Sequence, residues 1–157
     1  MGVFTYEFDH ATKISPERLF NGLVVHSDKV FPKAYPHVYK KLENVSGNGG
    51  AGTIKKAHLA GGQQVNHIEV LDTNKLEFGF TVVEGHHVLK GGVEKIYNHI
   101  KIVEGPHGGS VIKSTAKYFT EDGIEFKEDS AIASKEKYTG LYNAVENYLL
   151  ENPHLYT

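Results

Sequence analysis

The sequence predicts an α+β fold, a curved antiparallel sheet with one long C-terminal helix laid against it. Three observations carry that expectation. Between Tyr39 and Phe119, glycine-rich turns recur between short runs of strand character. No stretch of helical periodicity separates those runs, so consecutive strands join by tight connections and pair antiparallel, which argues against a parallel βαβ sheet. Beyond Lys127 the pattern changes to apolar residues at three- and four-residue steps.

Each element has its own local reason. Residues 3–11 set Phe4, Tyr6 and Phe8 on one face, the two-residue period of a strand. Ser15-Pro16-Glu17 reads as a helix start. Ser15 suits the cap, Pro16 the first helical position, and Glu17 complements the dipole. Leu19, Phe20, Leu23 and Val24 follow at helical spacing. A second short helix is expected from about Ser27 towards Lys33, kept short by Pro32 and Pro36. Strand-like runs follow at 53–59, 65–71, 76–83, 93–103 and 110–119. Residues 127–151 hold no proline and one glycine, Gly140. There Ala131, Ser134, Tyr138, Leu141, Val145 and Leu149 form an apolar stripe, widened by Tyr142 and Tyr148. At about 1.5 Å per residue this helix reaches roughly 37 Å before Asn152-Pro153 ends it.

Composition narrows the function classes. The 157 residues suit one domain, residues 1–157, large enough for a real core. Lys plus Arg is 17 against 19 Asp plus Glu, a net charge of −2. A chain that lives on phosphate contacts is normally basic, so no specific nucleic acid is expected. Cysteine is absent, which removes disulfides, thiolate catalysis and Cys-based zinc sites and suits a reducing compartment. No apolar run is long enough to span a membrane, and the start lacks the pattern of a secretory signal. A cytoplasmic, monomeric protein is therefore expected, in which the sequon Asn44-Val45-Ser46 is idle.

Taken by face, the strands point to what lies between sheet and helix. Phe78, Phe80 and Val82 share one face, as do Ile96, Asn98, Ile100 and Ile102, then Ile112, Ser114, Ala116 and Tyr118, and Lys55, Ala57 and Leu59. That inner face is mainly apolar, yet it carries Asn98, Ser114, Lys55 and two small alanines. A dry, close-packed core normally excludes an unpaired Lys or Asn. Either these groups are hydrogen-bonded within an ordinary core, or they line a hollow built for a ligand.

Three other patterns bear on chemistry. Gly47-Asn48-Gly49-Gly50-Ala51-Gly52 spells G-x-G-x-x-G, but a dinucleotide loop must open a helix, and here strand residues follow. It reads as a tight hairpin needing positive φ at several positions. Ten histidines are scattered, with no HExxH or HxH spacing, so neither a metal nor any cofactor is expected. Glu94, Glu146 and Tyr148 with Lys55 are candidates for acid–base work, against the ordinary reading of salt bridges on a solvated face.

The opening Gly2-Val3-Phe4-Thr5-Tyr6-Glu7, the glycine loop through Lys56, Glu94-Lys95-Ile96, Gly108-Gly109-Ser110, Lys117-Tyr118 and the end Ala144-Val145-Glu146-Asn147-Tyr148-Leu149-Leu150 fit one pattern. Along essentially its whole length the sequence resembles the plant pathogenesis-related class 10 family, the major birch-pollen-allergen type. The resemblance implies the helix-grip fold: a seven-stranded antiparallel sheet around the last helix, two short helices in a V, and a large internal cavity. It implies an intracellular, defence-related protein that binds small amphipathic ligands, among them phytohormones such as cytokinins, flavonoids and sterol-like molecules.

Ligand positions carry over from the family to Leu23, Val24, Asp28, Phe31 and Tyr39 near the short helices. On the sheet they fall on Ala57, Leu59, Phe78, Phe80, Val82, Asn98, Ile100, Ser114 and Ala116. On the long helix they fall on Ile132, Lys135, Tyr138, Leu141 and Tyr142. The family's contested ribonuclease residues fall on Lys55, Glu94, Glu146 and Tyr148, which gives the alternative of a ribonuclease or pocket acid–base enzyme. A ligand-gated surface that docks a regulatory protein ranks last.

The sequence departs from the family pattern in places. Ser46 and Ala51 stand where relatives usually have an acidic residue and a proline. The connection at Gly61-Gly62 is shorter, and residues 85–92, with His86, His87 and Lys90, are longer and more basic. Tyr138 and Tyr142 stand where relatives often have Gly or Leu, and are expected to narrow the cavity and offer hydrogen bonds to a flat guest.

Overall fold

The N-terminal strand β1 (Gly2–Thr12) pairs antiparallel with the last strand, β7 (Ser110–Thr120), from Gly2 opposite Thr120 to Thr12 opposite Ser110. Between them in sequence lie β2 (Tyr39–Ser46), β3 (Ile54–Leu59), β4 (Gly62–Asp72), β5 (Glu77–Glu84) and β6 (Val93–Glu104). The sheet order is β1-β7-β6-β5-β4-β3-β2, all antiparallel. The computed structural model describes residues 1–85, 89 and 91–157. The expectation placed on His86, His87 and Lys90 lies outside the described residues.

This order puts β1 and β2 at opposite edges, so the chain between them must cross the whole sheet. It does so as α1 (Pro16–Phe20), a wide π-type turn (Asn21–Val25) and α2 (Ser27–Ala34). Pro16 takes the first helical position. Ser15 holds the cap position, but its side chain makes no capping hydrogen bond, contrary to expectation. Its contribution is its carbonyl, which accepts from Leu19 N–H at 2.9 Å.

Strand β2 lacks alternation in the sequence because its pairing with β3 shifts register twice, between Tyr39 and Lys41 and between Asn44 and Ser46. The other strands follow their expected faces: in β6 and β7 every second residue is buried, from Ile96 to Ile102 and from Ser110 to Thr120. The glycine loop is a hairpin, with no helix after it. Gly47, Gly49 and Gly52 have φ of 96°, 103° and 88°, the region glycine occupies without strain. Buried Thr53 organises it: its hydroxyl accepts from Gly49 N–H at 2.9 Å, while its carbonyl accepts from Ile68 N–H at 2.9 Å.

The last helix, α3 (Glu128–Glu151), lies on the concave face and meets two dry clusters. Towards its C-terminus Val145 and Leu149, both fully buried, pack with Leu19, Phe20, Ile102 and Ile112. Each such side chain contributes roughly 1.5–3 kcal/mol through burial. Gly22 allows the contact, since a Cβ there would stand 3.0 Å from Leu149 Cδ1. Towards its N-terminus Ala131 joins Val82, Val93, Ile96, Ala116 and Tyr118.

One side chain fastens the two helical units. Arg18 Nη2 donates to the carbonyls of Leu149 at 2.7 Å and Asn152 at 2.8 Å, and Nε donates to Leu155 at 2.8 Å. α3 has no basic residue in its own last turn, so Arg18 supplies both the donors and the positive charge its C-terminus wants. Replacing Arg18 by Met should lower stability by about 1.5–3 kcal/mol. Arg18→Lys should recover only part of that, because one ammonium lacks the forked geometry. Urea midpoints of the three proteins test both statements.

Candidate functional site

Between the two dry clusters the concave face and α3 do not meet. A first cavity of about 90 Å³ lies there. Its apolar walls are Leu23 and Val24 from the π-type turn, Phe31 from α2, Ala57, Leu59, Phe78, Phe80 and Ile100 from the sheet, and Leu141 from α3. Tyr39, Tyr138 and Tyr142 add phenols. A second cavity of about 100 Å³ lies between Tyr35, Val38, Tyr39, Leu59, Gln64, Ser134, Lys137 and Tyr138. A third, of about 20 Å³, reaches Asn98, Ser114, Ala116 and Phe8 and has room for one water.

Among the described residues the interior holds cavities of about 90, 100 and 20 Å³ with lining residues in common. Tyr138 and Tyr142 both line the first and third cavities, and Tyr138 lines the second as well. The two rings lie 6.3 Å apart at an interplanar angle of 27°. The Tyr142 hydroxyl is 3.2 Å from Ser114 Oγ.

Several expected ligand residues stand elsewhere. Ile132 is 40% exposed and lines none of these cavities, because it sits on the solvent side of α3. Asp28 is also exposed, and the neighbouring Ser27 takes the wall position. Val82 is fully packed in the second dry cluster. Lys135 places its Nζ 5.7 Å over the Phe8 ring and lines no described cavity.

The polar groups that do face the hollow are few. Lys55 Nζ donates to Ser27 Oγ over a long 3.5 Å. Desolvation pushes its pKa below the ordinary lysine value, with the charge of Asp28 opposing. Asn98 Nδ2 is buried with no hydrogen-bond partner beside the third cavity. Gln64 and Asn66 from β4, Ser27 and Leu42 complete the first cavity, and the sequence analysis missed all four. The signal was there for β4: Gln64, Asn66 and Ile68 alternate, and they pair with Ala57, Lys55 and Phe80 on the same inner face.

The candidate catalytic set does not converge. Lys55 lines the first cavity. Glu94 is exposed on β6 and lines none of the described cavities. Glu146 Oε2 accepts from the backbone N–H of Lys13 at 2.5 Å, tying α3 to the turn after β1. Tyr148 packs against the first dry cluster. Among the described residues no cluster of three His, Asp or Glu side chains could hold a metal, and no helix is long and apolar enough to cross a membrane.

Burial also controls the phenols. It pushes Tyr142 up to about 12 and raises Tyr39 and Tyr138 well above the ordinary tyrosine value. A group whose folded pKa is raised keeps its stabilising contribution below the unfolded value, here near 10, and loses it as pH climbs towards the folded value. Stability should therefore fall steeply between pH 10 and about 12. Tyr142 alone contributes about 1.4 kcal/mol per pH unit across that window. Urea midpoints at pH 8, 10 and 11 should show the drop, and Tyr142→Phe should make it shallower.

Comparison with known proteins agrees with this architecture. The family model described as "Pathogenesis-related protein Bet v 1 family" matches residues 1–152. Major strawberry allergen Fra a 1.08 from Fragaria ananassa is 42% identical, and major allergen Pru ar 1 from Prunus armeniaca is 41% identical, each over 99% of both chains. The crystal structure of Ara h 8.0201 superposes with a TM-score of 0.84 at 29% identity, covering 96% of this chain and 99% of that one. A norcoclaurine synthase from Thalictrum flavum, a point mutant solved with a transition-state analogue, shares the fold alone. Its TM-score is 0.75 at 19% identity, covering 97% of each chain. A seven-stranded sheet around a terminal helix, and a match along nearly the whole chain, lead to one statement: this chain belongs to the pathogenesis-related protein Bet v 1 family.

Proposed function

We propose that this protein reversibly binds a small amphipathic plant metabolite, of phytohormone or flavonoid type, between the sheet and α3. The observation that carries the reading is the first cavity: an apolar, aromatic wall with a few polar groups, Lys55, Gln64 and Asn66, at fixed places. Rings would be held by Phe78, Phe80, Phe31 and Leu141, at roughly 25 cal/mol per Å² of apolar surface removed from water. Lys55 would meet an acceptor oxygen of the guest. A desolvated ammonium with only one long hydrogen bond is costly to the folded protein and gains from such a partner. Binding is favoured over ribonuclease chemistry because Glu94, Glu146 and Tyr148 do not line the cavity that holds Lys55. A defence-related role, a cytoplasmic location and a monomeric state belong to the same proposal. Family membership and the absence of cysteine support the first two.

Titration calorimetry with kinetin and quercetin tests the reading. Phe80→Asp should abolish detectable binding while circular dichroism stays that of the native protein, and unchanged affinity would refute the pocket. Lys55→Met should weaken binding of the more acidic quercetin. It should also raise the urea midpoint at pH 7, because it removes a charge that burial disfavours.

A further inference from the structure

We propose that Tyr138 is the size-selecting residue of this interior, a wall whose ring admits planar guests of two or three rings by swinging aside and keeps out rigid four-ring ones. The inference rests on the binding function proposed above and narrows it to a ligand class. Tyr138 is the one residue that borders all three cavities. The first two, at about 90 and 100 Å³, also share Tyr39, Leu59 and Gln64, so Tyr138 stands with these three on their common boundary. Each is smaller than the roughly 150 Å³ cavity that accepts benzene. A bicyclic guest therefore needs more room than either offers, and displacement of the Tyr138 ring, on the wall of both, would join them.

The position of Tyr138 in the middle of α3 gives it two discrete places to stand. A helical tyrosine has two accessible χ1 wells, and its side chain leans back over the preceding turn. One turn earlier is Ser134, a small residue whose hydroxyl is already engaged with the Ser130 carbonyl at 3.1 Å and which borders the second cavity. A change of χ1 well moves the ring relative to the space beside Ser134. A flat guest can share that space with the displaced ring, face against face. A rigid, thick four-ring body needs the ring's own volume as well.

Titration calorimetry of the wild type, Tyr138→Ala and Tyr138→Phe with quercetin and progesterone tests this, with circular dichroism confirming the fold of each. The wild type should bind quercetin and prefer it over progesterone by roughly tenfold or more. Tyr138→Ala should lose that preference by gaining progesterone affinity. Tyr138→Phe should keep it, because the ring is the wall and the hydroxyl is not. If Tyr138→Ala binds both probes in the wild-type ratio, the selecting role is overturned while the binding function stands. If neither probe binds to any of the three proteins, the binding function falls and the selecting role falls with it.

Discussion

A seven-stranded sheet is wider than the one helix laid against it. Six spacings of about 4.8 Å give the sheet a breadth of nearly 29 Å, while a helix with its side chains is roughly 10–12 Å across. Curvature reduces the mismatch but does not remove it. The concave face must be filled with large side chains or left partly hollow. This chain does both: it packs dry clusters around Val145 and Leu149 at one end and around Tyr118 and Ala131 at the other. Between them it leaves a region lined by phenols and a few polar groups.

The same geometry explains why the crossing from β1 to β2 is helical and why it is fastened so firmly. The connection spans the open end of the sheet, and α1 brings Arg18 under the last carbonyls of α3. With that end fixed, and Glu146 bound to the turn after β1, α3 is held as a rigid beam over the hollow. Side chains projecting from its middle, above all Tyr138 and Tyr142, then set how much of the hollow is free. Beside the third cavity Asn98 Nδ2 is buried without a hydrogen-bond partner, a cost that a close-packed core does not normally carry.

Much of this was legible in the residues. The alternation in β5, β6 and β7, the glycine hairpin and the stripe of α3 follow from periodicity and backbone freedom, which are local properties. The inner-face positions of Asn98, Ser114 and Lys55 were legible for the same reason, and they border the cavities. What was not legible depends on tertiary register. Strand β2 hides behind two bulges. Ile132 and Asp28 lie just off the facing side of their helices, where a rotation of one position decides between wall and solvent. Whether Glu94 lies beside Lys55, and how much of the interior stays open, depend on how distant segments meet, which no spacing encodes.

The π-type turn at Asn21–Val25 carries a consequence of a different order. It is one residue wider per turn than the helices that flank it, and two of its five residues, Leu23 and Val24, are cavity walls. Loss or gain of a single codon there would rotate both out of place without altering any side chain's chemistry. The shape of the hollow is thus sensitive to chain length in this segment as well as to which residues occupy it.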